Sequence, residues 1–192
     1  MISEYIDNFI NYLKIVRGFS EHTIRNYSID LVSFLNFLNE RKICDLKKID
    51  RIEIRAYLAS LHKGHIISTV LRKLSTIRSF FRYLRREGIV TANPAKLIEM
   101  PKKNNYLPTV LSKDEIFNLI EKLDENNPQK IRNRMMIEML YATGIRVSEL
   151  VGLNLENVDF VSGYIRVLGK GKKERIVPIP QLIIKDLKQY IA

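Results

Sequence analysis

The chain has 192 residues, of which 46% are hydrophobic and 28% are charged. This balance predicts a soluble globular protein, and no apolar run reaches the roughly 20 residues of a membrane-spanning helix. Thirty-two Lys and Arg against 21 Asp and Glu give a formal net charge of +11. The excess favours a polyanionic partner, nucleic acid first, over a charge that only aids solubility.

The cellular compartment is predicted from the N-terminus and the cysteine content. The segment MISEYIDNFINYLKIVRG already has helical periodicity and lacks the apolar core of a secretory signal. Cys44 is the single cysteine, so no disulfide can form within the chain. A cytosolic location is therefore expected, and a membrane association is not.

The first half of the chain has the apolar periodicity of amphipathic helices. Large hydrophobic side chains recur at three- and four-residue steps. Five helical segments are predicted: 6–16, 24–38, 51–62, 66–87 and a short one at 95–99. Ser20 and Asp50 stand where N-caps are expected, and Gly64 and Gly88 stand where helices should end.

The fourth predicted helix carries an unusual excess of positive charge. Arg78, Arg82 and Arg85 lie at i, i+4 and i+7, beside the apolar stripe, and Glu87 is the one acidic residue nearby. The pattern favours a DNA-binding face that contacts phosphates over a merely solvated face. Two further basic residues lie off this stripe and are predicted to be ordinary surface residues: Arg72 and Lys73.

A linker is predicted at 101–109, where the sequence PKKNNYLPT cannot continue a helix. Its Lys102 and Lys103 would either track a DNA backbone or belong to a passive spacer. The predicted organisation is a helical domain at 1–100, this linker, and a second domain at 110–192.

The second half predicts a mixture of helices and strands. Ser112 and Glu115 form a capping box that should open a helix, and Gly144 should end the helix predicted at 128–142. Another helix is expected to begin at 147. The segment 158–177 then changes to β character, which supports a second domain of α+β type.

The segment at 163–180, GYIRVLGKGKKERIVPIP, has three candidate interpretations: a phosphate cradle, a solvated turn or a catalytic finger. A Walker loop is excluded because its glycine spacing is missed by one residue and a strand-like segment follows. The dinucleotide-binding fingerprint lacks its third glycine. A β-hairpin with Lys170 at its tip, between Gly169 and Gly171, is the structure predicted.

Metal and nucleophile sites find no support in the sequence. The three histidines all lie in the helical first half, without cysteine partners or zinc-site spacing. Arg146 and Lys170 instead form a pair suited to phosphoryl transfer, since arginine grips a phosphate and lysine can protonate a leaving oxygen. The alternative is that Arg146 only pairs with Glu149 in an ordinary helix salt bridge.

Several stretches in family order resemble the tyrosine recombinase (phage integrase) family, most closely its bacterial Xer type. They are ATGIRVSELVGL, GYIRVLGKGKKERIVPIP, SEHTIRNYSIDLVSFLNFL and NPAKLIEMPKKNNYLPTVLS. The resemblance implies a mainly α chain. It would comprise a SAM-like helical core-binding domain and part of an α+β catalytic domain with a small antiparallel sheet.

The resemblance also implies roles for individual residues. Arg146 matches the first catalytic arginine, and Lys170 matches the hairpin lysine that protonates the leaving 5′ oxygen. The implied activity is site-specific DNA cleavage and rejoining through a 3′-phosphotyrosine, without metal or other cofactor. Duplex DNA and further recombinase protomers are the implied partners. Three hairpin cations are expected to contact phosphates or to be plain surface charge: Lys172, Lys173 and Arg175.

The chain departs from the family pattern after the hairpin. It contains no His-x-x-Arg motif, no further His or Trp, and no tyrosine in the nucleophile's context, Tyr190 included. A truncated recombinase that binds duplex DNA without cleaving it is therefore expected. The alternatives are a non-catalytic DNA-binding regulator on the same scaffold and a basic adaptor for RNA or for an acidic protein.

Overall fold

The computed structural model of the chain describes residues 2–61, 64–99, 109–123, 127–169, 171 and 173–191. The chain divides into two units, Met1–Tyr106 and Leu107–Ala192, and each is described by itself. The predicted linker at 101–109 lies outside the described residues except for its last one, so its role stays a prediction.

Among its described residues, the first unit contains four helices at the positions that the apolar periodicity predicts. Helix α1 spans Ile2–Ile15, α2 spans Glu21–Glu40, α3 spans Arg51–Leu61 and α4 spans Ile67–Arg86. A 3₁₀ turn, Leu46–Lys48, precedes α3. The fifth predicted helix, at 95–99, is wrong because residues 94–97 form a turn. Pro94 and Asn93 favour turns, and the segment is too short to stabilise a helix by itself.

The predicted helix boundaries follow from local hydrogen bonds. The Ser20 hydroxyl accepts from the backbone N–H of Thr23 at 3.4 Å. One carboxylate oxygen of Asp50 accepts from two N–H groups in the first turn of α3. These bonds satisfy donors that a helix start leaves without partners. Gly88 follows α4 with φ of +71°, a left-handed conformation that glycine adopts without a steric penalty.

The core of the first unit is aromatic and aliphatic. Phe9 of α1 lies 5.5 Å from Phe80 of α4, and Phe34 of α2 lies 5.0 Å from Tyr57 of α3, measured between ring centroids. All four side chains are buried. Such ring pairs add about 0.5–1.5 kcal/mol each beyond the burial of their area, and these two join α1 to α4 and α2 to α3.

The prediction that Lys73 is an ordinary surface residue is wrong, whereas Arg72 is exposed as predicted but pairs with a buried carboxylate. Lys73 is only 4% exposed, and its ammonium lies 3.4 Å from a carboxylate oxygen of Asp30, which is itself buried in α2. Arg72 contacts the other oxygen of the same carboxylate. Helical spacing within α4 could not show this, because the partner lies on another helix.

The described part of the second unit comprises four helices and a small sheet. The helices are α5 at Lys113–Glu121, α6 at Pro128–Thr143, α7 at Val147–Val151 and α8 at Gln181–Ile191. Before α5, the Ser112–Glu115 capping box forms as predicted, with a bond in each direction. Helix α7 is followed by Gly152 and a 3₁₀ turn, Leu155–Asn157.

Three antiparallel strands make up the sheet, in the order β1, β2, β3. They span Val158–Asp159, Tyr164–Leu168 and Glu174–Pro178. Ile165 and Val167 of β2 are buried, and the alternating Arg166 and Leu168 are exposed, as the two-residue period of a strand requires. Ile165 and Val167 pack with Met135 and Met139 of α6 and with isoleucines of α8, so both methionines belong to the core.

Helices long and apolar enough to cross a membrane are absent from the described ranges.

Candidate phosphate-binding site and basic surfaces

The turn between α6 and α7 places Arg146 at the start of a helix. Gly144 adopts φ of +61° and donates its N–H to the carbonyl of Leu140, which ends α6. Arg146 then has extended backbone angles and precedes the first turn of α7. Because only glycine adopts the left-handed conformation without strain, the sequence ATGIRVSEL folds into this sharp reversal.

Glu149 holds Arg146 from within the first turn of α7. One oxygen of its carboxylate accepts from the Arg146 backbone N–H at 2.8 Å, and the other accepts from Arg146 Nη1 at 2.8 Å. This is the reciprocal half of a capping box, in which an acidic side chain reaches back to the helix start. The backbone and the guanidinium of Arg146 are thereby fixed together.

A second arginine, from the hairpin, binds the same carboxylate. Arg175 Nη1 and Nη2 donate to the two oxygens of Glu149 at 2.7 and 2.8 Å. This two-bond geometry matches the planar fork of a guanidinium to a carboxylate. The Glu149 side chain is only 4% exposed, so this buried ion pair joins β3 to α7.

The hydrogen bonds of Arg175, followed by the backbone N–H of Arg146, lower the pKa of Glu149 to about 2. Glu149 is therefore ionised throughout the physiological range. One negative charge faces two guanidinium groups, so the three side chains carry one net positive charge. The site can attract an anion.

The guanidinium of Arg146 is open to a ligand. Its side chain is 64% exposed, and its one hydrogen bond among the described residues is the bond to Glu149. The other N–H donors of its fork are available to oxygens of a phosphate. The arrangement is therefore a fixed cation with free donors, which suits binding of a phosphate group.

Glycine at position 169 makes room for this arrangement. A Cβ there would lie 3.1 Å from Arg175 Nη1 and 3.3 Å from the Lys173 carbonyl. The Gly169 N–H donates to that carbonyl at 2.7 Å and closes the hairpin. Gly171, at the tip, has φ of +78°, a conformation that favours glycine. The two glycines are therefore required for different reasons: Gly169 by close contacts and Gly171 by its backbone angle.

The structure brings two predicted cations, Arg146 and Arg175, onto one carboxylate. The salt bridge weighed for Arg146 is present, but its carboxylate is buried and shared with a strand 26 residues away in the sequence. Lys170 and Lys172 lie outside the described residues, and Lys173 is exposed beside the tip. Their predicted roles stay predictions.

Glu149 was missed as a central residue by the reasoning from sequence. Its spacing from Arg146 indicated only a local helix pair. The available signal was the capping-box position, three residues after a residue that precedes a helix. Its second partner could not be found this way, because strand register determines which hairpin cation faces α7.

The basic stripe predicted on α4 divides into two environments. Arg78 is half-buried, and its guanidinium donates to the carbonyls of Ala95, at 3.0 Å, and Ile98. It thus ties the turn after α4 back onto the helix. Arg82 and Arg85 are exposed. The predicted phosphate contacts of all three stay predictions, as do those of Lys102 and Lys103, which lie outside the described residues.

Arg82 and Arg85 border a surface cavity of about 590 Å³ between α1 and α4. Arg86, also at its rim, lies 4.1 Å above the ring of Tyr12 and donates to its hydroxyl. That hydrogen bond holds the pKa of Tyr12 below its ordinary value. Several guanidinium groups therefore lie close together on one exposed surface of the first unit, an arrangement suited to binding a polyanion.

Two family models match the chain: "Phage integrase, N-terminal SAM-like domain" over residues 6–88 and "Phage integrase family" over residues 109–192. The chain is 44% identical over 189 residues to the tyrosine recombinase XerC of Thermodesulfovibrio yellowstonii, covering 98% of this chain and 62% of that relative. It is 39% identical over 194 residues to the tyrosine recombinase XerD of Oceanobacillus iheyensis, covering 100% and 65%.

These matches show that the chain belongs to the phage integrase family of tyrosine recombinases. It spans less than two thirds of the length of those two relatives. A solved lambda integrase (75–356) dimer bound to a COC′ core site has the same fold, with a TM-score of 0.79, 22% identity and coverage of 97% of this chain and 68% of that one. The resemblance and the fold class predicted from sequence are confirmed.

Proposed function

We propose that this chain is part of a site-specific DNA recombinase that acts through a 3′-phosphotyrosine. The observation that carries the proposal is the Arg146 guanidinium, anchored on a buried carboxylate yet 64% exposed. A fixed arginine with free donors is suited to a phosphodiester at which negative charge develops.

In the proposed reaction, a tyrosine oxygen attacks the scissile phosphorus, and the bond from phosphorus to the 5′ oxygen breaks. Lys170 supplies the proton to that leaving oxygen, and Arg146 stabilises the charge on the non-bridging oxygens. The phosphotyrosine keeps the energy of the phosphodiester, so a 5′ hydroxyl can reverse the attack and seal the strand. No metal or nucleotide cofactor takes part.

Other basic residues hold the duplex in this proposal. Arg82 and Arg85 contact phosphates from the first unit. Further phosphate contacts come from the predicted linker and the hairpin: Lys102, Lys103, Lys172 and Lys173. Arg78 and Arg175, whose donors bind carbonyls or Glu149, act mainly by positioning. Other recombinase protomers are further partners, and the proposed location is the cytoplasm.

The 192-residue chain is proposed to bind duplex DNA without cleaving it. No histidine occurs after His65, and the family's second arginine and tyrosine nucleophile have no match among these residues. The same observation favours a second candidate function, a non-catalytic DNA-binding regulator on this scaffold. Coexpression with an intact relative separates the two, because a regulator would alter recombination by that relative.

The binding half of the proposal is tested by a gel-shift titration with duplex DNA at several salt concentrations. We expect affinity to fall steeply with salt, since phosphate contacts release counterions. Indifference to duplex DNA would contradict the proposal and favour the adaptor for RNA or an acidic protein.

The cleavage half is tested with a nicked suicide duplex, built around a sequence that the chain selects from a random library. We expect no covalent adduct on a denaturing gel. An adduct would contradict the proposed inactivity, and the XerC relative assayed on its own site provides the positive control for trapping.

A further inference from the structure

Asp30 of α2 is buried in the first unit and interacts with three residues of α4. Its side chain is 1% exposed. One oxygen lies 2.5 Å from Arg72 Nη1 and accepts from the Thr76 hydroxyl at 3.0 Å. The other oxygen lies 3.4 Å from Lys73 Nζ. A buried ion pair is weak evidence for stability, because desolvation offsets its attraction, so this cluster calls for another reason.

The position of Arg72 suggests that reason. Its side chain is 44% exposed, although one nitrogen is anchored on the buried carboxylate. The guanidinium is planar, so one anchored N–H restricts the direction of the whole fork. Within the described part of the chain, its other donors have no hydrogen bond that competes with a ligand.

The side chains next to Arg72 on the surface of α4 are short. Ser68, Ser75 and Ser79 lie at i−4, i+3 and i+7, on the same side of the helix as Arg72. The Ser75 hydroxyl donates back to the Leu71 carbonyl at 3.0 Å, so it adds little height. Short side chains around an oriented arginine allow a helix to approach the floor of a groove closely.

We infer that Arg72 reads a base edge, guanine O6 and N7, in the major groove of duplex DNA, and that Asp30 is its positioning residue. This inference rests on the proposed DNA binding. Base readout requires an oriented pair of donors, and guanine O6 and N7 present two neighbouring acceptors that such a fork can meet. Arg72 thereby differs from Arg82 and Arg85, which have no such carboxylate anchor among the described residues.

The test selects preferred sequences from a random duplex library with the 192-residue chain and with Arg72→Lys. Lysine keeps the charge and loses the fork. We expect the variant to lose the preference at one or two base pairs. The ratio of affinities for the selected duplex and a shuffled one should fall about tenfold or more. Arg55→Lys, on the exposed side of α3, is the matched control and should keep the selected sequence.

Asp30 is tested with the double variant Asp30→Asn, Lys73→Met, because Asp30→Asn alone would leave Lys73 buried without a countercharge. The thermal melt must show that the double variant folds. We expect its preference to weaken at the same base pairs as in Arg72→Lys, whereas a purely structural role would change the melting temperature alone.

Three outcomes are informative. A chain that binds no duplex contradicts the proposed function itself. A chain that binds duplex DNA but keeps its preference in Arg72→Lys contradicts only this inference and makes Arg72 a phosphate contact. Binding without any sequence preference contradicts the inference as well, since no base would then be read.

Discussion

Glu149 and Arg175 are joined by two parallel hydrogen bonds of 2.7 and 2.8 Å, and the same carboxylate holds the proposed phosphate-binding Arg146. The hairpin is thereby coupled to the turn that presents Arg146. Substitutions at these three residues should have non-additive effects on stability, because the three side chains share one buried acceptor.

Glu149→Gln should lower both thermal stability and DNA affinity. Glutamine keeps the shape but removes the charge, so two guanidinium groups face each other without a countercharge. We expect at least a tenfold loss of affinity by gel shift, on the scale of a charge-assisted hydrogen bond. Glu156→Gln, an exposed neighbour in the same unit, is the control. Equal behaviour of the two variants would contradict the central role of Glu149.

The stability conferred by Glu149 should depend on pH. Its pKa falls from an ordinary 4.5 to about 2 on folding, so the unfolded chain binds more protons between these values. The contribution is complete above about pH 4.5 and is lost as the pH falls towards 2. Thermal melts of the wild type and of Glu149→Gln should converge in that window. Parallel curves from pH 6 to 2 would argue against the assigned pKa.

Gly169→Ala should displace Arg175. The added methyl group would meet Arg175 Nη1 at 3.1 Å and a backbone carbonyl at 3.3 Å, and relieving such crowding costs about 1–3 kcal/mol. Gly152→Ala is the matched control, because its φ is −87° and its nearest contact is 3.4 Å. Denaturant titration measures the difference. A Gly169→Ala chain as stable as the Gly152→Ala chain would show that the hairpin accommodates the methyl group.

Arg78→Ala should affect folding stability, whereas Arg82→Ala should affect DNA binding. Arg78→Ala leaves the carbonyls of Ala95 and Ile98 without their charged donor, which should cost about 1–3 kcal/mol of stability. Arg82→Ala should leave the melting temperature unchanged and reduce the salt dependence of DNA binding by about one counterion. Melting curves and salt titrations distinguish them. A reversed pattern would return Arg78 to the DNA-binding face.

The helices of the first unit could be predicted from sequence because their determinants are local. Apolar side chains at helical spacing and the caps at Ser20 and Asp50 act over three or four residues. The short helix predicted at 95–99 is wrong because Asn93 and Pro94 favour a turn, and Arg78 of α4 donates to the Ala95 and Ile98 carbonyls of that segment. A partner from another segment can override a weak local preference.

The sequence by itself determined the family, the helical first half, the small sheet, and Arg146 as a cation poised after a glycine reversal. Only the tertiary structure decided that Glu149 is shared with Arg175 and that Asp30 anchors Arg72, at separations of 26 and 42 residues. The physical reason is that a buried charge must be matched by whichever opposite charge the fold brings to it, and periodicity along one helix carries no information about that partner.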